Sequence, residues 1–168
     1  MKKTEKFFKK STTHKFIKNY MTSNLSWEKV VYNIDINVQK KETYLVKSFE
    51  DYGIVIHNIF DIEEVFLILE KIKNNNMTCE NLSAHMYISL SQRSKTFGKH
   101  KDDSDVWFWQ CIGKTKWEIF ESDIIYSYIL EPGDFIYVPK NIFHKTTPLS
   151  SRVGISFGVD KYKDIIYS

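Results

Sequence analysis

Arginine and alanine are nearly missing from this 168-residue chain: Arg93 and Arg152 are the only arginines, and Ala84 is the only alanine. The net charge of +3 therefore comes from lysine, in an Ile-, Asn-, Phe- and Tyr-rich composition of the kind an AT-rich genome produces. Basicity alone thus argues little for nucleic acid. Only two cysteines are present, Cys79 and Cys111, without CxxC spacing, and no signal-peptide segment precedes a small-residue cleavage site. A disulfide framework is excluded, and a reducing cytoplasm is the expected compartment. No apolar run approaches the ~20 residues that cross a bilayer, and there are no internal repeats or low-complexity segments. With 42% hydrophobic and 15% aromatic residues the chain is not disordered, and its length suits one domain with its own core.

Lysine is concentrated at the start. Lys2, Lys3, Lys6, Lys9, Lys10, Lys15 and Lys18 face only Glu5, with Phe7, Phe8, Phe16, Ile17 and Tyr20 interleaved. Residues 1–26 read as a basic helix or arm, either packed on the domain or offered to an acidic partner, RNA or a membrane surface. Residues 27–168 read as the domain. Within it, 27–36, 44–49 and 53–58 are strand-like, whereas from Asp61 the apolar residues Ile62, Val65, Phe66, Leu69 and Ile72 recur at helical spacing. Asp61 is the expected cap, and Asn74-Asn75-Asn76 the stop. Beyond the helix come eight short runs at 84–90, 97–102, 105–112, 116–120, 126–130, 135–138, 143–146 and 153–159. Closely spaced short strands with turn residues between them make a sandwich or barrel.

Two of these runs carry chemistry. Side chains at i and i+2 of a strand share a face, so His100 and Asp102 can close on one ion while Lys101 points away. A third ligand must come from another strand, and His144 follows the tight turn at Pro132-Gly133, the strand Phe135–Val138 and a Pro139 break. Two imidazoles and a carboxylate are the ligands of a mononuclear non-haem Fe(II) centre with open positions. An HxD tripeptide alone is weak, since chance supplies roughly 0.3 in a chain of this kind.

The context is more specific. Residues 96–120, Thr-Phe-Gly-Lys-His-Lys-Asp-Asp-Ser-Asp-Val-Trp-Phe-Trp-Gln-Cys-Ile-Gly-Lys-Thr-Lys-Trp-Glu-Ile-Phe, followed by Pro132-Gly-Asp-Phe-Ile-Tyr-Val-Pro139, His144, Ser151 and Ser156, resemble the JmjC/cupin-type oxygenases that use Fe(II) and 2-oxoglutarate, closest to the ribosomal oxygenase branch. The resemblance covers roughly residues 84–159. It implies a double-stranded β-helix, mainly β with a few N-terminal helices, and His100, Asp102 and His144 as metal ligands and catalytic centre. It also implies hydroxylation of a protein side chain or small metabolite, with 2-oxoglutarate decarboxylated to succinate. The alternative is a non-catalytic cupin-like metal- or ligand-binding module.

One departure bears on the cosubstrate. The family's cation for the far carboxylate of 2-oxoglutarate falls at Thr115, flanked by Lys114 and Lys116. Either a lysine swings in through a bulge, or Arg152 reaches in from the strand after His144 with Thr115 in support, or 2-oxoglutarate is not used. Alternation turns both lysines away and favours Arg152. Tyr87, Thr96 and Ser156 are further candidates for cosubstrate contact. Val106, Phe108 and Gln110 share one strand face, as pocket lining or core, and Trp107 and Trp109 share the other, against a helix. Asp103 and Asp105 are candidates to orient the ligand imidazoles, and His57 and His85 read as structural.

Overall fold

The computed structural model describes residues 6–39, 53–59, 62–76 and 82–159. In chain order they form β1 (Lys15–Ile17), α1 (Trp27–Gln39), β2 (Gly53–Ile56), α2 (Glu63–Asn75), β3 (Leu82–Ser89), β4 (Val106–Ile112), β5 (Thr115–Glu121), β6 (Ile124–Leu130), β7 (Phe135–Val138), β8 (Phe143–Pro148) and β9 (Arg152–Val159). The strands make two antiparallel sheets, a six-stranded one in the order β1-β7-β4-β9-β3-β2 and a three-stranded one in the order β6-β5-β8. The fold is thus mainly β with helices early in the chain, and neither sheet closes on itself.

Each face of the large sheet has its own packing. On the outer face Trp107, Trp109, Met86, Phe135, Ile155 and Phe157 are buried with Val30 of α1 and with Val65, Ile68 and Ile72 of α2. On the inner face Phe108, Ile136 and Val138 pack against Trp117, Ile119 and Leu130 of the small sheet. Alternation along β4 places Trp107 and Trp109 outward and Phe108 inward, as the sequence pattern predicts. Gly154 makes room on the inner face, because a Cβ there would stand 2.0 Å from Cζ of Phe108.

Four expectations change. The strand-like run from Trp27 is the helix α1: Ser26 Oγ accepts from the Lys29 N–H at 3.3 Å as an N-cap, and the β-branched residues Val30 and Ile34, four apart, lie on its inward side. The run at 97–102 is not a strand, since Gly98 adopts φ 72° and only an isolated bridge joins His100 to His144. Residues 6–26 contain no helix. Phe7 and Phe8 instead pack edge-on against Phe135, and β1 pairs with β7 at the sheet edge. Asn76 ties this segment down, its Nδ2 donating to Phe8 O at 2.6 Å and its Oδ1 accepting from Lys10 N. Several lysines of the segment are engaged: Lys10 pairs with Asp105, Lys18 with Glu131, and Lys15 Nζ donates to the carbonyls of Lys6 and Lys9. Finally, α2 begins after Ile62 with no side-chain cap, and the expected cap Asp61, like Cys79 and the expected strand at 44–49, lies outside the described residues.

Candidate metal centre

The bridge at His100 is closed by two backbone hydrogen bonds. His100 N donates to His144 O at 2.9 Å and His144 N donates back to His100 O at 2.7 Å, so the two histidines sit side by side with ring centroids 4.3 Å apart. Asn141 N donates to the Asp102 carbonyl at 2.8 Å and holds the third member. One ligand atom from each of His100, Asp102 and His144 lies within 4.8 Å of the others. The Asp102 carboxylate reaches both rings, with Oδ1 3.9 Å from His100 Nε2 and Oδ2 3.5 Å from His144 Nε2.

The imidazoles are oriented by backbone. Nδ1 of His100 lies 3.1 Å from Gly98 O and Nδ1 of His144 lies 3.1 Å from Ile142 O, each a carbonyl two residues upstream. Nδ1–H donation to those carbonyls leaves both Nε2 lone pairs free on the side of the carboxylate, so the donor set fits a divalent ion. Asp103 and Asp105 do not orient the rings. Asp105 instead accepts from the Tyr137 hydroxyl at 2.8 Å, and Asp103 is exposed. Trp117 stacks on His144 at 5.5 Å and 20°. Burial lowers the His144 pKa, and His100 lowers it further, while the Ile142 carbonyl and Asp102 oppose both. A neutral, ligand-ready imidazole is the result.

The triad opens onto a cavity of about 580 Å³ lined also by Tyr87, Thr96, Val106, Phe108, Arg152 and Ser156, within the range of small-molecule sites. Arg152 is only 5% exposed. It sits opposite Ser89 in the β3–β9 register, its Nε donates to Ser89 Oγ at 3.1 Å, and its Nη1 donates to Thr115 Oγ1 at 3.1 Å. Thr115 in turn donates to Gln110 Oε1 at 2.8 Å. Among the described residues no carboxylate meets Arg152, and its Nη2 has no acceptor. Burial brings its pKa down to about 10, against a raising effect of Tyr87, so the guanidinium is charged at neutral pH. Tyr87 is pushed up to about 12 by burial and by Asp102, so its hydroxyl keeps its proton.

The sequence-expected residues therefore divide. Tyr87, Thr96, Arg152 and Ser156 join the triad around one cavity, with Thr96 Oγ1 held on Thr146 O at 2.8 Å. Thr115 stands behind Arg152. Lys116 is a correction: alternation on β5 turns it outward, where its Nζ pairs with Glu118 Oε1 at 3.0 Å, and Lys114 pairs with Glu131. Val106 and Phe108 line the cavity, whereas Gln110 is a wholly buried brace. His57 and His85 meet each other, Nδ1 to Nδ1 at 3.0 Å, outside the cavity lining. Sequence reasoning missed Ser89, Lys95 and Thr146. Ser89 alone had a signal, as the inward neighbour of Tyr87 at i+2.

A two-sheet β protein with a 2-His-1-carboxylate centre and a buried arginine lining one cavity is the class this geometry defines. Residues 56–164 match the JmjC domain model, and the chain belongs to that family. No curated protein sequence matches it significantly. Among solved structures, Escherichia coli YcfD aligns with 89% of this chain and 50% of its own at 14% identity and TM-score 0.66. The same ribosomal oxygenase with cobalt and 2-oxoglutarate aligns with 88% of this chain and 48% of its own, at 16% identity and TM-score 0.62. The chain thus spans about half or less of the length of these proteins, and the likeness is one of fold.

Proposed function

We propose that this chain is an Fe(II)- and 2-oxoglutarate-dependent oxygenase that hydroxylates a protein side chain, and that its two sheets are the halves of a double-stranded β-helix. The observation that carries the cosubstrate is Arg152, because a buried cation left without a carboxylate is costly unless an anion completes it. YcfD has been solved with 2-oxoglutarate, which supports a dicarboxylate here. His100, Asp102 and His144 would hold the ion, and membership of the JmjC family supports iron. When bound, iron and cosubstrate supply O₂-dependent hydroxylation, in which one oxygen atom leaves in succinate with loss of CO₂ and the other enters a C–H bond.

The chain's own residues do the rest. The free Nη2 of Arg152 takes the far carboxylate, Thr115 and Ser89 fix the guanidinium plane, and Gln110 fixes Thr115. Tyr87, a protonated hydroxyl without a protein partner among the described residues, donates to the bound anion, with Thr96 and Ser156 along the same wall. Phe108 and Trp117 keep water from the space between the triad and Arg152. No helix among the described residues is long and apolar enough to cross a membrane. The test is succinate release by the purified chain with Fe(II), O₂ and 2-oxoglutarate, together with calorimetric 2-oxoglutarate binding in the presence of Mn(II). Metal binding without any 2-oxoglutarate binding would replace the oxygenase with a metal-binding module.

A further inference from the structure

The segment leading into the triad carries exposed basic side chains beside the cavity. Lys95, Thr96, Phe97, His100 and Asp102 line the cavity, while Arg93, Lys99 and Lys101 are exposed and lie outside its lining. No Asp or Glu occurs from residue 81 to 101, so this stretch carries no acidic residue of its own. The neighbouring strand β8 extends it with exposed Lys145 and Phe143. Lys99 Nζ lies 3.9 Å from the Phe120 ring centroid and 5.4 Å from that of Phe143, and Lys101 Nζ lies 5.3 Å from Phe143. These aromatic contacts hold the ammonium groups up at the surface beside the opening. Phe97, 63% exposed, stands edge-on to both Tyr87 and His100 at the rim.

We infer that this rim binds an acidic polypeptide segment, the substrate class of the proposed oxygenase, with carboxylates on Arg93, Lys99, Lys101 and Lys145 and the target side chain passing Phe97 into the cavity. The inference rests on the oxygenase reading only where it calls the partner a substrate. Charge complementarity selects an anion, and the aromatic rings decide which kind. A single-stranded RNA needs open ring faces for its bases, yet Phe120 and Phe143 carry lysine ammonium groups, and only Phe97 is left open. Carboxylates need no stacking platform, and compact, mobile lysine charges suit them.

A short fluorescein-labelled Glu/Ser peptide, its Lys/Ser counterpart and an oligouridylate of equal length, added to the Mn(II)-loaded chain, test this by anisotropy. The acidic peptide should bind, weaken steeply between about 0.05 and 0.3 M salt, and lose affinity at least about tenfold when Arg93, Lys99 and Lys145 are changed to Glu. None of these three residues lines the cavity. Lys6→Glu, Lys9→Glu and Lys73→Glu together change the net charge equally and should leave more than half of that affinity change unmade. Equal loss in both triple variants, tighter binding of the oligouridylate, or salt-independent binding overturns the inference. Calorimetric 2-oxoglutarate binding by the same wild-type preparation keeps the two readings apart: peptide failure with 2-oxoglutarate bound sinks only the rim, and the reverse sinks only the cosubstrate.

Discussion

The two faces of the six-stranded sheet are built from the same strands and have almost nothing else in common. Outward, Trp109 stacks on Phe135 at 5.6 Å and 13°, Phe7 and Phe8 meet the same ring edge-on, and α2 covers the rest with Val65, Ile68 and Ile72. Inward, the apolar cluster is small, and beside it lie a glycine, a buried arginine, a buried glutamine and a cavity. Close packing on one face supplies the stability that lets the other keep an unfilled space and an unpaired charge. Fold and chemistry are thus divided by strand parity.

Breaking the outer face should have the largest effect. Phe8→Ala should cost about 3–5 kcal/mol in urea unfolding, as expected for a fully buried aromatic ring, although the sequence places this residue in a terminal arm. Asp102→Ala should cost less than about 1 kcal/mol in metal-free protein while removing most Mn(II) affinity by calorimetry. Comparable destabilisation by the two would mean that the faces do not divide as described.

The inner face is sharpened by Arg152. Changing it to Met removes a cation that no carboxylate balances and keeps most of the volume, so the metal-free protein should become no less stable. The same change should raise the KM for 2-oxoglutarate at least about tenfold, the loss of a charge-assisted pair worth roughly 1.5–3 kcal/mol. Lys116→Ala should alter neither quantity, since that side chain is spent on Glu118. A Lys116 effect on KM with a silent Arg152 would return the anchor to β5.

How much of this is legible in the sequence depends on what sets each feature. Strands β3 to β9 and α2 follow from periodicity, because that signal is local. The triad residues are legible from their types and the turn at Pro132-Gly133, but the strand that the i,i+2 spacing presumes is absent, and an isolated bridge joins His100 to His144. The fate of Phe7 and Phe8 is not legible, since their partners Phe135 and Asn76 lie far along the chain. β-branched Val30, Val31 and Ile34 lend α1 the composition of a strand, and only the Ser26 cap marks it as a helix. Residue types near the triad point to Asp103 and Asp105 as the groups that orient the ligand histidines, whereas backbone carbonyls supply that orientation and leave no trace in residue identity.

The smallest effect concerns pH, and it isolates one residue of the inner face. Burial and His100 hold the folded-state pKa of His144 below its ordinary value of 6.5, while the unfolded chain titrates near that value. Between the two pKa values the unfolded state binds more protons, so stability must fall as pH drops below about 6.5 and be unaffected by this group above it. The slope from one such group is at most about 1.4 kcal/mol per pH unit. Urea melts of chelator-treated protein at successive pH values will contain carboxylate contributions too, so the useful quantity is the difference from His144→Gln, which cannot take up a proton. That difference should be flat above neutrality and turn against the wild type as the solution is acidified. A ligand ion, by excluding the proton from Nε2, should make the wild-type slope steeper, and a difference that stays flat throughout would show that His144 is no harder to protonate in the folded protein than in the unfolded chain.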